Sequence, residues 1–169
     1  MKKVRLKIAV SGTQGTGKTT SVYKLAYEYK VSYPGHTVGI LCEVARDCPF
    51  PINQHTTVES QMWIFIHQME EEYKRQKQFD ILICDRTIMD SVAYTEVAGM
   101  DKLVDCMMPV AQEWCKTYNH IYVKKDEHCG NFNLSDGVRD TDVDFRHRVE
   151  QSLIKLYNIC GVEYSTPTK

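Results

Sequence analysis

Eight consecutive residues, Gly12-Thr13-Gln14-Gly15-Thr16-Gly17-Lys18-Thr19, carry the most specific chemistry in this chain. They match the spacing G-x-x-x-x-G-K-[ST] at every fixed position. The glycines let the backbone curl until successive N–H groups point inward at phosphate oxygens. A helix opening just after them adds its positive N-terminal end. The Lys18 ammonium can reach β- and γ-phosphates, and the Thr19 hydroxyl can take a place on Mg²⁺. Gly12 to Thr20 is therefore expected to bind a nucleoside triphosphate, with ATP and Mg²⁺ as the cofactors.

Two carboxylates stand where they could complete a reaction. Glu43, followed by Val44-Ala45-Arg46, and Asp85, followed by Arg86-Thr87, each come directly after a short apolar run. Phosphoryl transfer to a hydroxyl needs a carboxylate to orient or deprotonate the attacking group, and cations for the equatorial oxygens. A switch GTPase would instead show D-x-x-G after the third strand and N-K-x-D for its base, and neither occurs. Motor-type ATPases tend to carry adjacent acidic residues after that strand; here Arg86 follows Asp85. The pattern favours a phosphotransferase, with Asp85 beside Thr19 on the metal side and Glu43 toward the acceptor. Either carboxylate could be the base.

The elements that must position these residues alternate along the whole chain. Apolar, largely β-branched or aliphatic runs at 4–10, 37–42, 79–84 and 120–123 read as strands. Helical spacing occupies 18–29, a long segment opened by a Thr56/Glu59 capping box, then 88–97, 102–118 and 143–158. Val58, Met62, Phe65, Ile66, Met69 and Tyr73 give the long segment an apolar stripe, taken as its buried face. Residues 46–55, with Pro49 and Pro51, cannot be regular helix. Residues 162–164 could add a short strand. Nearly continuous apolar strands separated by helices predict an α/β fold in three layers, a parallel sheet covered on both faces. Ligands in such sheets bind beyond the carboxyl ends of the strands, where Gly12, Glu43 and Asp85 all fall.

The chain of 169 residues is 43% hydrophobic, with 21 basic and 22 acidic side chains and a net charge of −1. That length fits one domain spanning 1–169 and needs no disulfide or metal staple. The charge balance argues against a protein that coats nucleic acid. Contact with nucleic acid stays possible but is not indicated by charge. No apolar run approaches a bilayer-spanning length, and the N-terminus lacks the apolar stretch of a secretory signal. Seven cysteines, with no C-x-x-C pair, fit a reduced compartment, so a cytoplasmic location is expected.

The chain resembles the small P-loop kinases related to the ribosylnicotinamide kinase domain of bacterial NAD regulators, together with phage and bacterial kinase-like proteins. It is more distantly similar to deoxynucleoside and thymidylate kinases. The resemblance rests on Gly12–Thr19, Glu43-Val44-Ala45-Arg46, Gln61, Asp85-Arg86-Thr87, Asp136-Gly137-Val138-Arg139 and Arg146. It implies a P-loop kinase fold, a lid-like segment at about 124–148, and a nucleoside- or nucleotide-like acceptor. It also implies that Glu43 serves as base and that Asp85 assists the metal or substrate. Relatives with ribosylnicotinamide activity tend to carry E-Y-A-R, where this chain has Val44, so the acceptor itself stays open.

Weaker signals complete the expected site. Arg139, and with it Arg146 and Arg148, would close over the phosphates as the resemblance implies. Arg146 and Arg148 also have i,i+4 acidic partners in Asp142 and Asp144, an ordinary arrangement on a solvated helix. Gln61 could read a base through its amide, Arg46 and Arg86 would line the acceptor, and Arg86 would also clamp phosphate oxygens together with the lid arginines. The proline-stiffened 46–55 loop could wall the substrate, while Trp63 is expected in packing. The six histidines show no ligand geometry. Two other functions compete: a kinase acting on a hydroxymethylated base in DNA, and an ATPase module with no small acceptor.

Overall fold

A computed structural model describes residues 5–125 and 143–166. Its elements run in the alternating order that the sequence predicts. They are β1 (Leu6–Ser11), α1 (Lys18–Ser32), β2 (Val38–Leu41), α2 (Val58–Gln78), β3 (Ile81–Asp85), α3 (Ile88–Val97), α4 (Asp101–Cys115), β4 (His120–Val123) and α5 (Val143–Ile159). Among the described residues the strands form one parallel sheet in the order β2-β3-β1-β4. β1 is therefore central, paired with β3 from Leu6 opposite Ile81 to Val10 opposite Asp85, and with β4 on its other side.

Alternation along β1 divides the molecule into its layers. Ile8 and Val10 face α1, packing with Val22, Ile81 and Ile83. Ala9 faces the opposite side, where Leu82, Cys84, Ile121 and Val123 meet apolar residues of α2, α3, α4 and α5. The three-layer α/β expectation holds: among the described residues, α1 covers one face and α2, α3, α4 and α5 the other. Burying both faces explains why β3 is apolar until Asp85.

Several boundaries differ from the sequence reading. The described strand β1 runs to Ser11, and β3 begins at Ile81 because Phe79 closes α2 instead. Two single 3₁₀ turns, Val44–Asp47 and Asn53–His55, flank the prolines of the 46–55 loop. The C-terminal strand reduces to one parallel bridge between Tyr122 and Ser165. The capping box of α2 is Thr57 with Ser60, not Thr56 with Glu59. Ser60 N donates to Thr57 Oγ1 at 3.3 Å, while Thr57 N donates to Ser60 Oγ at 2.8 Å.

The buried face of α2 is the larger correction. Val58, Ile66 and Tyr73 of the expected stripe are 51%, 49% and 52% exposed. The buried residues are Ser60, Gln61, Phe65, Gln68 and Glu72, the last four at i, i+4, i+7 and i+11. A polar face can turn inward because each amide and carboxylate finds partners there, as burial of polar groups requires. Trp63 packs against the core, as expected, and stacks on His67 with ring centroids 3.9 Å apart.

Gly12 marks where the β1 end and β4 meet. Its φ is +139°, and a Cβ there would lie 2.3 Å from the carbonyl oxygen of Lys124. The neighbouring Lys124 N donates to Ser11 O at 2.9 Å, so that backbone has no room to move. Gly12→Ala is expected to lower unfolding free energy by about 3 kcal/mol or more, read by denaturant melts. Wild-type stability in that variant would contradict this packing.

Candidate active site

The sheet order brings the sequence-separated motifs to one edge. β3 neighbours β1, so Asp85 ends beside the phosphate loop; β2 lies one strand further out and delivers Glu43. A cavity opens between them. It is lined by Gln14, Gly15, Gly17, Lys18, Thr19 and Thr20 of the phosphate loop and by Glu43, Arg86, Asp90, Ser91 and Tyr94. Ala45, Ile52, Asn53, Gln61 and Ile64 complete the lining.

The loop is built as its glycines require. Gly15 and Gly17 have φ of +78° and +73°, the left-handed region that glycine enters without steric penalty. Thr16 Oγ1 and Lys18 Nζ both donate to Thr13 O, at 3.0 and 2.6 Å. Arg146 on α5 is buried with its guanidinium carbon 3.5 Å from where a Gly15 Cβ would be. Lys124 Nζ donates to Gly17 O at 3.4 Å and Ser21 Oγ at 2.9 Å. Arg148 lies outward, over the Phe145 ring at 5.7 Å. Arg139 lies outside the described residues, as does the middle of the expected 124–148 lid.

Thr19 Oγ1 donates to Asp85 Oδ2 at 2.6 Å, while Asp85 Oδ1 is buried without a hydrogen-bond partner among the described residues. A hydroxyl and a buried carboxylate oxygen at the phosphate end suit a hard, oxygen-seeking cation, so these two residues fit Mg²⁺. Burial pushes the Asp85 carboxyl upward, against the opposing pull of Lys18 and the Thr19 hydrogen bond.

Glu43 and Arg86 form an ion pair that lines the same cavity. Arg86 Nε donates to Glu43 Oε1 at 2.5 Å. Its Nη1 reaches Gly12 O and Asp90 Oδ1, each at 3.3 Å, and its Nη2 reaches Tyr94 OH at 3.4 Å. Four of the five guanidinium N–H groups are thus engaged, so Arg86 acts here mainly as a fixed strut. Burial alone would raise the Glu43 carboxyl; Arg86 and Lys18 outweigh it and hold it down at about 2. Glu43 is ionised. Arg46 Nε sits 3.3 Å from Glu43 Oε2 at the exposed rim.

The remaining expected residue, Gln61, borders the cavity from α2. Its Nε2 donates to Thr56 Oγ1 at 2.6 Å and its Oε1 accepts from Thr95 Oγ1 at 3.2 Å. One N–H and one lone pair are left for a ligand. Ile52 and Asn53 bring the 46–55 loop into the same lining.

Over residues 7–167 the sequence matches the AAA domain family. The chain belongs to that family. No curated protein sequence matches this AAA domain. Solved structures share its fold at low identity. Thymidylate kinase from Ehrlichia chaffeensis is 18% identical with a TM-score of 0.68, over 98% of this chain and 89% of that one. Deoxyadenosine kinase from M. mycoides, bound to dATP, is 14% identical with a TM-score of 0.66, over 97% and 91%. The NadR protein in complex with NAD and AMP-PNP gives 0.71 at 14% identity, over 97% of this chain and 44% of that one. Among the described residues of the AAA domain, no helix is long and apolar enough to cross a membrane.

Sequence reasoning missed Asp90 and Tyr94 of this AAA domain. Asp90 Oδ2 accepts from Ser11 Oγ, Thr87 N and Thr87 Oγ1, each at 2.8 Å, tying α3 to the start of the phosphate loop. Tyr94 OH donates to Gln14 Oε1, which also accepts from Thr13 Oγ1 at 2.9 Å. Gln14 Nε2 is buried without a hydrogen-bond partner among the described residues. Asp90 had a signal available, since T-x-x-D before an apolar run is itself a capping box.

Lys18 supplies a test of the loop that needs no acceptor. Burial, then the nearby Arg86 charge, lowers its ammonium to about 8. Phosphate oxygens would raise it again. Binding a non-hydrolysable ATP analogue at pH 8 should therefore take up about 0.5 proton per site, vanishing two pH units lower. Calorimetry in two buffers of different ionisation enthalpy measures this. No uptake at pH 8 would mean that Lys18 does not meet the phosphates.

Proposed function

We propose that this AAA domain is an ATP- and Mg²⁺-dependent kinase for a nucleoside- or nucleotide-type acceptor, with transfer to a hydroxyl favoured. One observation carries the reading: an ionised Glu43, held by Arg86, lines the same cavity as the phosphate loop and feels the Lys18 charge. A hydroxyl acceptor gains from a carboxylate that takes up or orients its proton. A dianionic phosphate acceptor would meet that carboxylate as repulsion, with Arg86 already largely engaged. The names of the thymidylate and deoxyadenosine kinases, which share the fold, support nucleoside-like chemistry.

In this reading the loop amides and Lys18 hold the β- and γ-phosphates, and Arg146 lies beside them. Thr19 and Asp85 would hold Mg²⁺, which would neutralise phosphate charge. Glu43 receives or orients the acceptor proton. Gln61, Asn53 and Tyr94 offer polar contacts to an acceptor lying against Ile52 and Ile64. Arg139 closes the site as a lid residue, and Arg46 guards the rim. The reaction is assigned to the cytoplasm.

A thermal-shift screen with a non-hydrolysable ATP analogue tests the acceptor class. Nucleosides should raise the melting temperature beyond the analogue alone, and nucleoside monophosphates less so. A shift produced only by hydroxymethylated duplex DNA, or by no acceptor at all, would contradict the proposal.

A further inference from the structure

One buried ion pair has no part in the proposed reaction. Lys7 on β1 and Glu72 on α2 are 4% and 0% exposed, with Nζ 2.8 Å from Oε2. Stability alone explains such a pair weakly, because well-packed apolar residues often serve as well or better. Glu72 collects three further donors: Trp114 Nε1 at 2.8 Å on Oε2, with Gln68 Nε2 at 2.8 Å and Tyr118 OH at 2.6 Å on Oε1. Lys7 Nζ also lies 4.5 Å from the centroid of the Tyr118 ring.

Two of these side chains reach onward to the same turn. Gln68 Nε2 donates to Arg86 O at 3.4 Å, and Tyr118 OH accepts from Ile88 N at 3.1 Å. Arg86 has φ of +92°, a conformation that a residue with a side chain keeps only where its surroundings enforce it. Other bonds also hold the turn: Arg86 N to Val10 O at 3.0 Å, Thr87 N and Oγ1 to Asp90 Oδ2 at 2.8 Å, and the Arg86 guanidinium to Glu43, Gly12 O, Asp90 and Tyr94 OH. The bonds from Gln68 and Tyr118 are those that depend on Glu72.

We propose that Glu72 is a positioning residue for phosphoryl transfer: through Gln68 and Tyr118 it holds the left-handed Arg86 turn, and so aims the Arg86–Glu43 pair at the acceptor. A carboxylate suits the task because its two oxygens can accept from Lys7, Trp114, Gln68 and Tyr118 together, which the single oxygen of an amide cannot. The inference rests on the proposed role of Glu43.

The test uses the full chain with Gln68→Met, which keeps volume and charge but loses both amide bonds. Tyr118→Phe, losing only the hydroxyl, is the second variant. Val104→Ala, a core truncation in α4 outside this network, is the stability control. The first readout is hydrogen exchange of the Arg86 Nε–H in ¹⁵N-labelled protein, which reports the bond to Glu43. The second is the split between kcat and KM for ATP, at matched fractional folding. Both network variants should speed that exchange by about tenfold or more and lower kcat by about tenfold, with KM for ATP held within about twofold. The control should do neither. Unchanged exchange in Gln68→Met and Tyr118→Phe would overturn the proposal, as would faster exchange with undiminished kcat, or the same losses in the control. Exchange needs no acceptor, so a wild-type protein without turnover would sink the kinase reading while exchange still decides the positioning claim.

Discussion

Lys18→Ala is expected to lower phosphoryl transfer by about three orders of magnitude, because charge developing on the transferred group is met chiefly by fixed electrostatics. The lysine is buried and donates to Thr13 O at 2.6 Å, so its removal costs one hydrogen bond. Removal also relieves the burial that holds its ammonium down at about 8. These effects oppose one another, and stability should stay within about 1 kcal/mol of wild type. Denaturant melts and single-turnover transfer from labelled ATP check both halves. Near-normal turnover in Lys18→Ala would show that the loop does not hold the reacting phosphates.

Glu43→Gln should divide the site into its two ends. Glutamine keeps an oxygen for Arg86 Nε but removes the charge and the basicity. Transfer should fall by about 10² to 10³-fold while affinity for an ATP analogue is kept. Asp85→Asn should instead raise the Mg²⁺ concentration needed, since Thr19 and the hydrogen-bonded Asp85 are the proposed metal-holding pair. The acid limb of stability gives a second check. Because the folded Glu43 is depressed to about 2 from a usual 4.5, its contribution is full above pH 4.5 and is lost as pH falls toward 2. That contribution is about 3 kcal/mol, and the glutamine variant should lack it. Weakened metal binding in Glu43→Gln, with a normal Mg²⁺ response in Asp85→Asn, would reverse the two roles.

How legible these residues are depends on where their determinants lie. The phosphate loop is legible because its backbone curl and its ligand chemistry are both written in contiguous residues, Gly12 to Thr19. Glu43 and Asp85 are legible one step later, because a parallel sheet gathers the carboxyl ends of its strands at one edge. The inner face of α2 is not. Apolar Val58, Ile66 and Tyr73 lie outward while Gln61, Gln68 and Glu72 turn in, and periodicity counts only apolar residues. What buries Glu72 is Lys7, Trp114 and Tyr118, which lie 65, 42 and 46 positions away. The left-handed Arg86 is hidden for the same reason, since its conformation is imposed by contacts from β1, α2 and α3. Tyr94 reads as an ordinary helix residue until Gln14 and Arg86 are seen on either side of it.

The central claim is that phosphate leaves ATP for an acceptor oriented by Glu43. Incubating the protein with Mg²⁺, γ-labelled ATP and a panel of nucleosides, then separating the products, tests it directly. Label should appear covalently attached to one or more nucleosides, and ADP should form in equal amount. Label released only as inorganic phosphate, at a rate indifferent to every acceptor, would contradict the account.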